Sequence, residues 1–174
     1  TRPPALQTVL QERPLLPLLF NGGHFIVDAQ GTAIASMPTE LGRVGVNYSD
    51  RDHVSHALKH NASKISKPVM GKLLQKPVVS MAVPMRDEAG TAIGAMIGVI
   101  DLSKPSFLDA VLTARYGQSG HYTLVSRDWE LVVSSSTREL ALKPLPQLAL
   151  GGGLDQLLAG TVETALLPNT AGEH

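Results

Sequence analysis

The chain has 174 residues, with 15 basic and 15 acidic side chains in balance, 43% hydrophobic residues, 4% aromatic residues and no cysteine. That length and composition allow one sizeable core or two small ones. Neutral charge and few aromatics offer no basic field or stacking surface for nucleic acid, and the missing thiols exclude cysteine catalysis, cysteine-ligated metals and disulfides together.

From the N-terminus, Leu6, Val9 and Leu10 follow helical spacing until Pro14 and Pro17 interrupt it. A short helix and an irregular turn are therefore expected within residues 1–19. Phe25–Asp28 and Thr32–Ser36 read as a hairpin around Ala29-Gln30-Gly31, with glycine available for positive φ. Residues 49–60 read as a helix. Ser49 is the expected N-cap, Asp52 completes a capping-box-like pair, Val54, Ala57 and Leu58 form the buried stripe, and Asn61 closes the end. Residues 78–85 and 91–102 are long strands with apolar residues on both faces, as expected of central strands joined by Asp87-Glu88-Ala89-Gly90. Gly94 and Gly98 share one face and leave room for a close neighbour.

Residues 104–115 carry Phe107, Leu108, Val111 and Leu112 at helical spacing. A second hairpin follows, Tyr122–Val125 with Leu131–Ser134, in the same register as the first. Pro144, Pro146 and Gly151-Gly152-Gly153 then break the pattern, and no further strand pair completes a second sheet. The expected divisions are an N-terminal helical segment at 1–19, a principal lobe at 20–103, a connecting helix at 104–115 and a partial second lobe at 116–174. No run of about 18 apolar residues is present to cross a membrane. The start at Thr1, with no signal peptide before it, reads as a segment cut from a longer, anchored protein.

Three stretches in fixed order carry a resemblance: Asn47-Tyr48-Ser49-Asp50-Arg51-Asp52-His53, then Ile65-Ser66-Lys67-Pro68, then the hairpin ending in Gly98-Val99-Ile100-Asp101-Leu102. Over residues 20–135 this order resembles the double-Cache domain, the PAS-like extracellular sensor module of bacterial receptors. The resemblance implies an α+β fold: a PAS-like antiparallel sheet flanked by helices, with a smaller or truncated second lobe. It also implies a ligand pocket on one face of the larger lobe, and no catalysis in this portion. Receptors of this kind feed diguanylate cyclases, histidine kinases or chemotaxis domains, none of which is present in the sequence. The implied location is the periplasmic or extracellular portion of an inner-membrane protein, with a homodimer through the N-terminal helix. Another class stays open: a ligand-free PAS-like interaction module with a filled core.

The ligand-site residues expected on this basis are Tyr48, Arg51, His53, Ser66, Lys67 and Asp101, with Met81 and Val83 as apolar wall. Arg51 matches the helix-start arginine, and its planar guanidinium suits a carboxylate. The bland alternative is a solvated arginine or a structural pair with Asp101. Where amino-acid sensors of the family carry aromatics and an aspartate, this chain has His53, Val54 and His56. A small polar or anionic ligand is therefore expected over an α-amino acid. Lys67 and Ser66 read equally as loop residues, and Asp101 equally as a structural carboxylate needing a partner. His53, His56 and His60 share a helix face at zinc-compatible spacing, but that face is expected to be exposed and lacks a further ligand. No metal or cofactor is expected. Gly151-Gly152-Gly153 lacks the context of a phosphate loop, and Ser134-Ser135-Ser136 that of a nucleophile elbow.

Overall fold

The structure is a computed structural model that describes residues 3–112, 122–126, 131–135, 139, 141–144 and 156. Two compact units divide the chain, Thr1–Val111 and Leu112–His174.

The first unit is built on an antiparallel sheet. Its strands are β1 (His24–Asp28), β2 (Ala33–Met37), β3 (Lys64–Ile65), β4 (Val69–Met70), β5 (Pro77–Arg86) and β6 (Ala92–Asp101). The order across the sheet is β2-β1-β6-β5-β3, and β4 pairs with β5 beside β3. β6 runs between β1 and β5, opposite Phe25 at Ile97 and opposite Val78 at Asp101. The expected antiparallel α+β architecture is thus present, and the two long strands are adjacent as expected.

Local chemistry explains each turn. At the first hairpin Gly31 takes φ +83°, and the Asp28 carboxylate accepts the backbone N–H groups of Gln30 and Thr32, both at 2.9 Å. Asn61 adopts the left-handed conformation that ends the helix α3 (Asp52–His60). The start of α3 differs from expectation. Its N-cap is Arg51, with no side-chain cap, and the Ser49 hydroxyl donates instead to Asn47 Oδ1 at 2.6 Å.

Side-chain alternation sorts the sheet into two faces. Phe25, Val27, Ala95, Ile97 and Val99 form one core with Tyr48, Val54 and Ala57, beneath α3 and the loop that precedes it. On the other face Ile26 and Ala35 pack against Leu6 and Leu10 of the helix α1 (Pro3–Gln11). Gln7 of α1 treats the exposed edge of β2 as a strand partner. Its Nε2 donates to Ser36 O at 2.9 Å and its Oε1 accepts from Ser36 N at 3.1 Å, which blunts an otherwise unpaired edge. The prolines do not leave an irregular turn throughout, because a single turn of helix, α2 (Leu16–Leu19), forms with Pro17 in its first turn. Phe20 follows it and lies against Gly98, where an added Cβ would sit 2.4 Å from the ring. Gly98 therefore admits a close neighbour, as its position in the strand implied.

Helix was expected over 104–115. The described part is shorter, with α4 covering only Asp109–Leu112 and turns before it. Pro105 disfavours helical backbone at Lys104, and Ser106 N donates to Asp109 Oδ2 where the helix begins. Residues 113–115 lie outside the described part. In the second unit β7 (Thr123–Ser126) and β8 (Leu131–Ser135) form the expected second hairpin, with Val132 fully buried. The Gly151–Gly153 and Ser136 readings fall outside the described residues.

Candidate ligand-binding site

The backbone between β2 and α3 is laced to the first hairpin. Ala33 N donates to Val46 O, Gly45 N to Ala33 O and Tyr48 N to Gly31 O, at 2.8–2.9 Å. Asn47 Nδ2 adds bonds to Gln30 O and Thr32 Oγ1. This lacing fixes where Arg43, Tyr48 and Arg51 leave the chain. Together with β4, β5 and the Gly71–Leu74 turn they enclose a cleft over the α3 face of the sheet.

The cleft is lined by Phe25, Val69, Leu74, Val78 and Val99 as apolar wall, and by Arg43, Tyr48, Arg51, His53, Lys72 and Ser80 as polar groups. Its empty volume is ≈ 420 Å³ counted out to the open mouth. Such a space admits a few waters or a ligand of few heavy atoms.

Arg43 is the least expected group in it. The residue is 3% exposed, its Nη2 donates to Gly22 O at 2.6 Å, and its guanidinium also interacts with the Tyr48 hydroxyl. Its guanidinium carbon lies 5.1 Å from the centre of the Phe25 ring, which in turn meets Tyr48 at 4.7 Å. Lys72 Nζ stands 5.5 Å over the other aromatic, Tyr48. A cation thus lies against each member of a tilted aromatic pair, whose rings are inclined by 43°. Gly23 makes room for this: it takes φ +90°, and a Cβ there would come within 2.6 Å of Arg43 Nη1. Burial lowers the Arg43 pKa and raises that of Tyr48, with the nearby guanidinium acting against the latter shift. The Tyr48 hydroxyl therefore keeps its proton, and it faces the Arg43 guanidinium in a weak hydrogen-bonding contact.

At the mouth, Lys72 Nζ donates to Asp50 Oδ1 and to Asn47 O, both at 2.9 Å, while Arg51 Nε stands 3.8 Å from Asp50 Oδ2. The bond from Lys72 holds the Asp50 carboxyl below its usual range. His53 is buried, not exposed as its helix face implied. Its Nδ1 lies 3.4 Å from Asp52 Oδ1, and desolvation holds its pKa below the ordinary value. The second carboxylate oxygen of Asp52 faces Lys64 at 3.5 Å. His56 and His60 meet each other, ring centres 4.8 Å apart and planes tilted by 39°, and among the described residues no group of three metal-ligating side chains is assembled.

Of the residues expected from sequence, Tyr48, Arg51 and His53 line the cleft. The others do not. Ser66 is buried, but its hydroxyl donates to Lys67 O at 2.8 Å and accepts from Ser80 N at 2.9 Å, so it secures the junction of β3 with β5. Lys67 is exposed, and the lysine at the cleft is Lys72. Met81 and Val83 lie on the opposite face of β5, whose cleft-facing residues are Val78 and Ser80. Asp101 is fully buried outside the cleft. It accepts from Ser103 N and Oγ at 2.9 and 2.6 Å and faces Lys104 Nζ at 3.9 Å, so it pairs with neither Arg51 nor the lining. Arg43 and Lys72 are the groups that sequence reasoning missed. Their signal was local: each stands in or beside a glycine-marked turn, Gly42–Gly45 and Gly71.

No family model matches the chain, and no curated protein matches it. Solved structures do match. The ligand-binding domain of the Pseudomonas aeruginosa amino-acid chemoreceptor PctB, in complex with L-Arg, aligns with TM-score 0.67 at 21% identity over 87% of this chain. That of the Pseudomonas fluorescens chemoreceptor CtaA, in complex with L-valine, aligns at 0.61 and 24% over 84%. The fold is that of a chemoreceptor ligand-binding domain. An extracellular ligand-binding receptor from Desulfohalobium retbaense aligns at 0.61 and 15% over 92% of this chain. The chain spans 61%, 64% and 26% of those three structures, so each of them extends well beyond it.

Proposed function

We propose that this chain is the small-molecule-sensing portion of a transmembrane signalling receptor, working outside the cytoplasm, and that its ligand is a small polar or anionic metabolite held in the cleft beneath α3. The observation that carries this is Arg43, a buried guanidinium whose contacts are Gly22 O and the buried Tyr48 hydroxyl, with no carboxylate partner among the described residues. Leaving a buried charge without a counter-ion is unfavourable, and natural cores retain one where something else completes the bonding. A ligand that accepts hydrogen bonds would do so. Arg43, Tyr48, Arg51, His53, Lys72 and Ser80 are the proposed contacts.

Two supports come from outside the cleft. The similar ligand-binding domains of PctB, CtaA and PctC were determined with L-Arg, L-valine and GABA bound. Leu15, Leu18 and Leu19 stand exposed after α1, as expected of a surface that a second copy covers. The sensing portion performs no chemistry in this reading, and the output domain belongs to the rest of the protein.

A thermal-shift screen against carboxylates, amines and amino acids tests the reading, because a ligand that binds only the folded state raises the melting temperature. The expected result is a rise with at least one small acid. A panel that leaves the melting temperature unmoved would favour a ligand-free interaction module.

A further inference from the structure

The charges around the cleft do not balance, and the imbalance has two separate locations. The lining contains Arg43, Arg51 and Lys72 but no aspartate or glutamate. At the mouth one carboxylate, Asp50, faces two cations, Lys72 at 2.9 Å and Arg51 at 3.8 Å. One positive charge is left over there. At the floor Arg43 meets Gly22 O and the Tyr48 hydroxyl, both neutral, and among the described residues no carboxylate lies within ion-pair distance. A second positive charge is therefore uncompensated in a buried position, where that is most unfavourable. The remaining charges nearby cancel: Asp52 is matched by Lys64, and burial keeps His53 neutral. Between the two locations the wall is apolar, formed by Phe25, Val69, Leu74, Val78 and Val99.

We infer that the cleft is shaped for a short dicarboxylic acid without an ammonium group, one carboxylate bound at Arg43 and Tyr48 and the other at Arg51 and Lys72. This rests on the reading of the cleft as a ligand site and names its ligand class. An ammonium-bearing ligand would place a like charge among three cations with no lining carboxylate to receive it. A monocarboxylate would leave one end of the cleft unneutralised.

Calorimetric titration of the 174-residue chain with succinate, butyrate and GABA decides it. Succinate is expected to bind about tenfold or more tightly than either monoanion-bearing compound, the scale of one charged hydrogen-bonding contact. Tyr48→Phe removes only a hydroxyl and is expected to weaken succinate by about tenfold on the same basis, with the melting temperature of the free chain retained. Arg43→Gln is expected to weaken it further. Should that variant fail to fold, Tyr48→Phe decides alone. Butyrate or GABA binding as tightly as succinate would overturn the dicarboxylate inference and leave the sensor reading standing. Succinate binding unaltered by Tyr48→Phe, or no succinate binding at all, would likewise overturn it. The sensor reading itself fails only if the wider acid, amine and amino-acid panel also gives no melting shift.

Discussion

At the scale of single residues, the positions that matter are those whose chemistry conflicts with their surroundings. Arg43, Tyr48, His24 and His53 are all polar and buried. Arg51 differs, since its side chain keeps 24% of its surface and a loose ion pair with Asp50. Arg51→Ala should therefore leave the fold intact and weaken an anionic ligand by about 1.5–3 kcal/mol, the worth of a hydrogen bond to a charged group. Calorimetry on both proteins checks this, and an unfolded variant would place Arg51 in the core. The two histidines give a pH dependence. Burial holds both below the ordinary histidine value of 6.5; at His24 a backbone hydrogen bond at Leu10 opposes the shift and the Arg43 charge adds to it. At His53 the Asp52 carboxylate opposes the shift, while Arg51 and Lys64 add to it. The unfolded chain thus takes up protons near pH 6.5 that the folded chain resists. Stability should be full above that pH and decline as the pH falls through it toward the folded-state values. Urea midpoints at neutral and mildly acidic pH should show the decline, and His24→Leu should flatten it. A midpoint that rises on acidification would contradict the assignment.

At the scale of elements, legibility depended on whether a pattern had one solution. The hairpin at Gly31, the stripe Val54–Ala57 and the long strands all required a single arrangement, and each was readable. The faces of β5 were not. Val78, Ser80 and Ala82 on one side and Val79, Met81 and Val83 on the other are equally compatible with burial, so alternation could not choose between them. The larger Met81 and Val83 were expected in the wall, but they face away from it. Arg43 escaped notice because a buried arginine in a loop has no periodic signature. Its burial arises from tertiary lacing through Ala33, Val46 and Gly23. Packing at the strand level is testable on both faces. Ile97→Ala, at a fully buried position, should cost about 2–5 kcal/mol of stability. Gly98→Ala drives a methyl into the Phe20 ring and should cost about 1–3 kcal/mol as overpacking. Val83→Ala, on the half-exposed outer face, should leave ligand affinity unchanged. Denaturant titration gives the first two values and calorimetry the third.

At the scale of the whole molecule, the neutral net charge conceals a local excess of positive charge at one cleft. Composition could exclude nucleic acid and thiol chemistry but could not reveal that excess, since it depends on which ion pairs form. The first unit, Thr1–Val111, contains the entire cleft. A fragment ending near Val111 is expected to fold and to bind the same small acid as the 174-residue chain, which calorimetry on both would establish. The α3 side of the sheet is the proposed ligand-binding face. Amide chemical-shift mapping by NMR, with the tightest-binding acid from the screen, tests it most directly. Shifts are expected to concentrate at Arg43, Tyr48, Arg51, His53 and Lys72. Shifts concentrated instead beneath α1, at Leu6, Ile26, Met85 and Ile93, would contradict it.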